Sequence, residues 1–182
     1  LRPNTFMHNG LFTKSDKKDL RKDMTIVWSW EGNDFSRSWS GPKFWCHDMY
    51  ATYDYNNYTI FRYADAVLML AECYNEVDQP DNAIKYLNQV KSRAGISLYG
   101  TFKSKDRFRE ELQNERGREL AGEFQRKFDL VRWGIWYTRT CEYNNSAYIK
   151  YYIQPYHEYY PIPSDQVEYS GGALDNKEYT GR

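Results

Sequence analysis

Residues 62–95, RYADAVLMLAECYNEVDQPDNAIKYLNQVKSRAG, constrain the fold more than any other stretch of this chain. Apolar residues return at spacings of three and four on either side of a polar break, Asp78-Gln79-Pro80-Asp81. That periodicity belongs to two amphipathic helices. Val67, Leu70, Ala71 and Tyr74 fall on one face of the first, and Ala83, Leu87 and Val90 on one face of the second. Arg93 supplies a basic last turn and Gly95 a stop, so the second helix closes there. The expected unit is a helical hairpin, of a kind that builds binding surfaces more often than it does chemistry.

The same seven apolar positions are similar to the register of a tetratricopeptide (TPR) hairpin. Around it, 182 residues allow one domain with a core, or a large piece of a bigger protein. Leu1-Arg2-Pro3 does not read as a natural start, and a segment or processed form is expected. Twenty-five basic and 25 acidic residues cancel, which leaves no clustered positive charge for nucleic acid. No apolar run approaches the ~18 residues of a membrane span. Cys46, Cys73 and Cys141 show no metal-ligand spacing, and Cys46-His47-Asp48 has no second cluster to complete a site, so neither metal nor cofactor is expected. Cys73 reads as a small buried hydrophobe on the first helix.

Residues 1–60 form a loop-rich segment. Met24–Trp30 is β-branched and aromatic and reads as a short strand; Asp34–Tyr58 reads as loop. Residues 61–137 form a helical block. Ser104 caps a third helix from about Lys105, without the acidic half of a capping box because Arg107 stands at that position. Phe108, Leu112, Arg116, Leu120 and Phe124 recur every four residues along it, which puts an arginine in an apolar stripe. Glu115, Glu119 and Glu123 stack at the same spacing and repel one another unless cations intervene. A partly buried Arg116 held by these glutamates meets both conditions, with Arg118, Arg126 and Arg132 as further cations. A fourth helix, Gln125 to about Tyr137, carries Phe128, Val131, Trp133 and Trp136, the two tryptophans in core register. Residues 138–182 form an extended C-terminal segment. In it Pro161-Ile162-Pro163 is extended, with Ile162 inserted in an apolar groove, and Ser164-Asp165 cap a last helical turn.

Taken together, these motifs resemble the C-terminal part of the SusD/RagB family of outer-membrane lipoproteins. The residues concerned are Arg62-Tyr63-Ala64-Asp65 with LMLAEC, Leu87 through Gly95, Glu115 through Glu123, Arg126 through Gly134, and Tyr160-Pro161-Ile162-Pro163. Asp19-Leu20-Arg21 matches a D-x-R element, and Asp175-Asn176-Lys177-Glu178-Tyr179 matches a final Q-N-x-G-Y imperfectly. The resemblance implies a mainly α fold of TPR-like hairpins with long aromatic-rich loops and few short strands. It implies a non-catalytic cell-surface protein that binds nutrients, chiefly oligosaccharide and sometimes peptide. Such a protein works with a SusC-like TonB-dependent outer-membrane transporter and meets the membrane through a lipid anchor. Family members are considerably longer at the N-terminus.

Aromatic residues make up 18% of the chain, including 18 Tyr and six Trp. Tyr and Trp join an apolar face to a polar tip and suit surfaces that stay partly wet. Trp28, Trp30, Trp39, Trp45, Tyr53 and Tyr55, with Asn33 and Arg37, are the candidate ligand residues. A ring covers the apolar face of a sugar while amide and guanidinium groups meet its hydroxyls. The same rings also serve as loop-to-core packing. A glycosidase reading of the glutamates is weaker, because adjacent cations lower a carboxyl's pKa and spoil a general acid. A TPR-type adaptor for a protein or peptide shares the hairpin. It predicts further repeats at ~34 residues, which the sequence after Phe102 does not restate.

Overall fold

The computed structural model describes residues 19–45, 57, 59–144 and 146–180. The fold is mainly α, with two compact units, Leu1–Arg126 and Lys127–Arg182. Among the described residues, no helix is long and apolar enough to cross a membrane.

In the first unit, a short helix α1 (Arg21–Thr25) runs directly into strand β1 (Ile26–Trp30). The strand is therefore two residues shorter than expected, since Met24 and Thr25 close the helix. Strand β2 (Asn33–Ser40) pairs antiparallel with β1, with Trp30 opposite Asn33 and Ile26 opposite Ser40. The expected loop from Asp34 thus begins as a strand. Phe35, Arg37 and Trp39 alternate with serines, a period of two that the many small polar residues obscure. Glu31 (φ 49°) and Gly32 (φ 79°) form the two-residue turn, with positive φ at both positions as a type I′ hairpin requires. A 3₁₀ turn, Pro42–Phe44, follows. Cys46-His47-Asp48, Tyr53 and Tyr55 lie outside the described residues.

Helices α2 (Tyr63–Glu76) and α3 (Pro80–Arg93) form the expected hairpin. Asp78 takes the left-handed conformation (φ 58°) and Pro80 starts α3, so the break is sharp. Helix α4 (Lys105–Glu119) packs against both, capped by the Ser104 hydroxyl, which accepts from the Arg107 N–H at 3.2 Å. The core joins Val67, Leu68 and Ala71 of α2 to Ala83, Ile84, Leu87 and Val90 of α3 and to Phe108 and Leu112 of α4. Tyr74 and Tyr86 stack over its edge with ring centroids 5.4 Å apart. Asn88 ties the α3–α4 connection down, exchanging 2.8 Å hydrogen bonds with both the N–H and the C=O of Tyr99.

Two expectations about α2 are corrected. Leu70 is 39% exposed and Leu68, fully buried, takes the core position; Cys73 is exposed rather than buried. Both leucines satisfy a three-four spacing, because α2 is apolar on two sides. Leu68→Ala should therefore cost ~2–5 kcal/mol, while Leu70→Ala in this chain should cost about 0.5 kcal/mol or less. Thermal unfolding by circular dichroism separates the two; equal losses would contradict the register.

Helix α4 ends at Glu119 instead of continuing to Phe124. Residues four apart advance about 40° around a 3.6-residue helix, so the stripe from Phe108 cannot hold one face through Phe124. Leu120 is still buried, but Gly122 (φ 78°) and Phe124 (φ 62°) leave the helix, and Phe124 is 53% exposed.

In the second unit, the expected fourth helix is divided at Gly134 (φ 68°) into α5 (Arg126–Arg132) and α6 (Trp136–Tyr143). Trp133 and Trp136 are half-buried, not core, and Phe128 is exposed. Helices α7 (Ala147–Tyr152), α8 (Ser164–Tyr169) and α9 (Lys177–Thr180) follow. Ser164 is the first residue of α8 and Pro163 holds the cap position, so the expected Ser-Asp cap gives way to proline. Pro161-Ile162-Pro163 is extended as expected, with Ile162 half-buried. The Asn176 amide holds it there, accepting from the Ile162 N–H (2.9 Å) and donating to its C=O (2.8 Å). The Tyr179 hydroxyl donates to the carbonyls of Tyr156 and Tyr159. The imperfect C-terminal motif is thus a clamp on the Pro-Ile-Pro segment.

Candidate functional site

Around the end of α4, the first unit holds a cluster of buried charges. Glu115 and Glu119 are 0% and 2% exposed. Two carboxylates on adjacent turns at that depth need cations close by. Arg21 lies between them, 2.7 Å from Glu115 and 2.9 Å from Glu119, and its other nitrogen meets Asp19 at 2.7 Å. Arg118 closes on Glu115 at 2.8 Å. Arg62 reaches Glu119 at 2.5 Å and Glu123 at 2.7 Å, Arg93 pairs with Glu119, and Lys43 meets Glu123 at 2.5 Å. Lys43 also donates to the carbonyls of Glu119 (3.0 Å) and Ala121 (3.1 Å). These are carbonyls at the end of α4, where the helix dipole favours positive charge.

The expected ion network is present, and its wiring differs from what spacing along one helix suggests. Arg116 pairs with Asp65 of α2 at 2.7 Å, an aspartate 51 residues away. Arg126 reaches the Gln113 carbonyl at 2.9 Å and Arg132 pairs with Asp129. The cations on Glu119 and Glu123 come instead from Arg21, Arg62, Arg93 and Lys43. Lys43 is the member that no motif marked. Burial by itself would raise the Asp19 carboxyl, but the Arg21 guanidinium holds it below the usual range. Burial lowers the Lys43 ammonium, with Glu123 opposing the shift.

One side of this cluster faces a cavity of about 730 Å³. Its apolar lining includes Leu20, Met24, Phe44, Trp45 and Phe124; its charged lining includes Arg62, Arg93, Glu119 and Glu123; Asn57 and Thr59 line it as well. The Phe44 ring lies directly on Gly122, whose missing side chain makes room for it: a Cβ there would stand 2.4 Å from the ring tip. Gly41 permits an equally close approach, since its Cβ would lie 2.6 Å from the Met24 carbonyl oxygen. These two glycines bring the Pro42–Phe44 turn against α1 and the end of α4, and so place Trp45, 37% exposed, at the cavity. A concave space with aromatic walls and a few polar groups can hold a molecule having both apolar faces and hydroxyl edges.

Of the eight candidate residues, Trp45 lines this cavity. Trp28 and Trp30 belong to β1, as the expected strand has them, and Asn33, Arg37 and Trp39 to β2, so these five share one two-stranded ribbon; Arg37 and Trp39 leave the expected loop. Asn33 is exposed beside the turn, and its amide donates to the Glu31 carbonyl at 3.4 Å. Sequence reasoning missed Phe44, Phe124 and Met24 as cavity walls. Phe44 and Met24 carry no periodic signal, and Phe124 continues the four-residue stripe of a helix that ends before it.

A sequence model of the SusD family matches residues 36–179. SusD-like protein P25 of Formosa agariphila is 35% identical over 175 residues, which cover 90% of this chain and 32% of the relative. The chain thus spans about a third of the length of that curated relative. A solved SusD superfamily protein from Bacteroides vulgatus has a TM-score of 0.73 at 24% identity, covering 92% of this chain and 42% of its own. Surface glycan-binding protein A from Bacteroides uniformis has a TM-score of 0.63 at 22% identity, covering 92% and 39%.

Proposed function

This chain belongs to the SusD family, and we propose on that premise that it is the glycan-holding part of a non-catalytic nutrient-binding protein. That protein works at the outer-membrane surface as a lipoprotein and passes oligosaccharide to a SusC-like TonB-dependent transporter. The observation that carries the reading is the cavity of about 730 Å³ beside Trp45, lined by aromatic rings and guanidinium groups together. A similar fold in a protein described as glycan-binding supports it. The absence of catalysis is supported by the state of the carboxylates: Glu115 and Glu119 are buried and ion-paired. A general acid must reach the bond it protonates.

Isothermal titration of the chain against a panel of neutral oligosaccharides and short peptides tests the binding. Heat with at least one oligosaccharide is expected, and Trp45→Ala should weaken it by about tenfold, ~1.4 kcal/mol. Because Trp45 is partly exposed, its truncation should leave the melting temperature close to that of the parent. No heat with any sugar, or heat only with peptides, would favour the adaptor reading instead. The transporter is tested by purification from native membranes, where recovery without a β-barrel partner would overturn that half.

A further inference from the structure

The described cations that line the cavity, Arg21, Lys43, Arg62 and Arg93, are not equally engaged. Arg21 uses Nε and Nη2 on Asp19 and Nη1 on Glu115 and Glu119. Arg62 donates from Nε to Glu123, from Nη1 to the Glu119 carboxylate and from Nη2 to the Glu119 carbonyl. Lys43 sets its ammonium among Glu123 and the carbonyls of Glu119 and Ala121. Arg93, the last residue of α3, is held by one nitrogen: Nη2 donates to Glu119, while Nε and Nη1 donate to nothing among the described residues. Its side chain is 61% exposed, against 10%, 23% and 25% for Arg21, Lys43 and Arg62.

Charge at the cavity is also uneven. Asp19 and Glu115 take up Arg21 and Arg118. Lys43, Arg62 and Arg93 then share Glu119 and Glu123, three cations on two carboxylates among the described residues. In a concave site whose apolar lining keeps water away, surplus positive charge attracts an anion. Sugar hydroxyls would fill the spare donors of Arg93 and leave the charge unanswered. An oxyanion does both, and a guanidinium binds oxyanions by charge-assisted hydrogen bonds about twice as strong as neutral ones. We propose that the cavity prefers glycans carrying an oxyanion, as a uronate carboxylate or a sulfate ester, with Arg93 receiving that group while Trp45 covers the sugar ring. This rests on the reading of the cavity as a glycan site and narrows the class of glycan it takes.

The test is isothermal titration of the full-length protein with matched oligosaccharides: uronate oligomers and their methyl esters, sulfated oligomers and their desulfated forms, with acidic peptides beside them. At least one charged member should bind about tenfold or more tighter than its neutral twin. The pair that shows the difference tells carboxylate from sulfate. The difference should shrink as NaCl is raised to about 0.5 M. Arg93→Gln should remove most of it, and Arg93→Lys should keep part of it. The twin comparison and its salt dependence use the unaltered protein, so they decide the matter even if a variant unfolds. Neutral members that bind as well as their charged twins would overturn the proposal and leave the glycan reading standing. So would a charge preference that survives Arg93→Gln in a folded variant. Binding of acidic peptides alone, or of nothing, would overturn both.

Discussion

Replacing Glu119 with alanine is expected to cost ~3–5 kcal/mol, the largest loss of any single polar substitution in this chain. Glu119 is 2% exposed and receives Arg21, Arg62 and Arg93 at once. Without its carboxylate, three guanidinium groups face one another, two of them largely buried, and each keeps its desolvation cost while losing a counter-charge. For a domain of this size, ~2–4 °C of melting temperature is lost per kcal/mol, so a fall of about 10 °C should be measured. Glu119→Gln keeps hydrogen-bond acceptors but not the charge and should fall between the two. A loss below about 1 kcal/mol would mean that the cluster is solvated and contributes little, as exposed ion pairs do.

Gly122→Ala should be nearly as costly, for two separable reasons. Gly122 has φ 78°, a conformation that costs a residue with a Cβ roughly 1–2 kcal/mol. The added methyl would also stand 2.4 Å from the Phe44 ring, and overpacking of this kind costs ~1–3 kcal/mol. Phe44→Leu removes the ring tip and relieves only the second term. In a double-mutant cycle, Gly122→Ala with Phe44→Leu should therefore lose less than the sum of the single changes by about 1 kcal/mol. Strict additivity would show that the Phe44 ring does not rest on Gly122. The variant also bears on the site, since displacing Phe44 moves the wall next to Trp45.

Much of the scaffold is legible in the sequence because its parts are local. The hairpin of α2 and α3 follows from periodicity, and the Ser104 cap and the Gly95 stop follow from residue type. The motif residues Asp19, Arg21, Arg62, Arg93, Glu115, Glu119 and Glu123 were all visible as motif members, and the structure shows that they converge on one ion cluster. Their pairing was not legible. Arg21 and Glu115 are 94 residues apart, and the Arg116–Asp65 pair crosses from one helix to another. Sequence spacing suggests only partners nearby in the chain, on α4 and the helix after it.

The sequence misleads where two patterns compete. Leu68 and Leu70 both fit a helical face because α2 is apolar on both sides. Strand β2 was hidden by serines that look like loop until their alternation with Phe35, Arg37 and Trp39 is counted. The site was legible only in its aromatic content. Trp45 lines the cavity, but its neighbours arrive through close contacts at Gly41 and Gly122, which tertiary packing creates.

A crystal structure of the chain with an oligosaccharide identified by titration tests the central claim most directly. The account predicts a sugar ring lying against Trp45 within the cavity lined by Phe44 and Phe124, its hydroxyls hydrogen-bonded to polar groups of the lining. A ligand held elsewhere, with this cavity empty and Trp45 untouched, would contradict it.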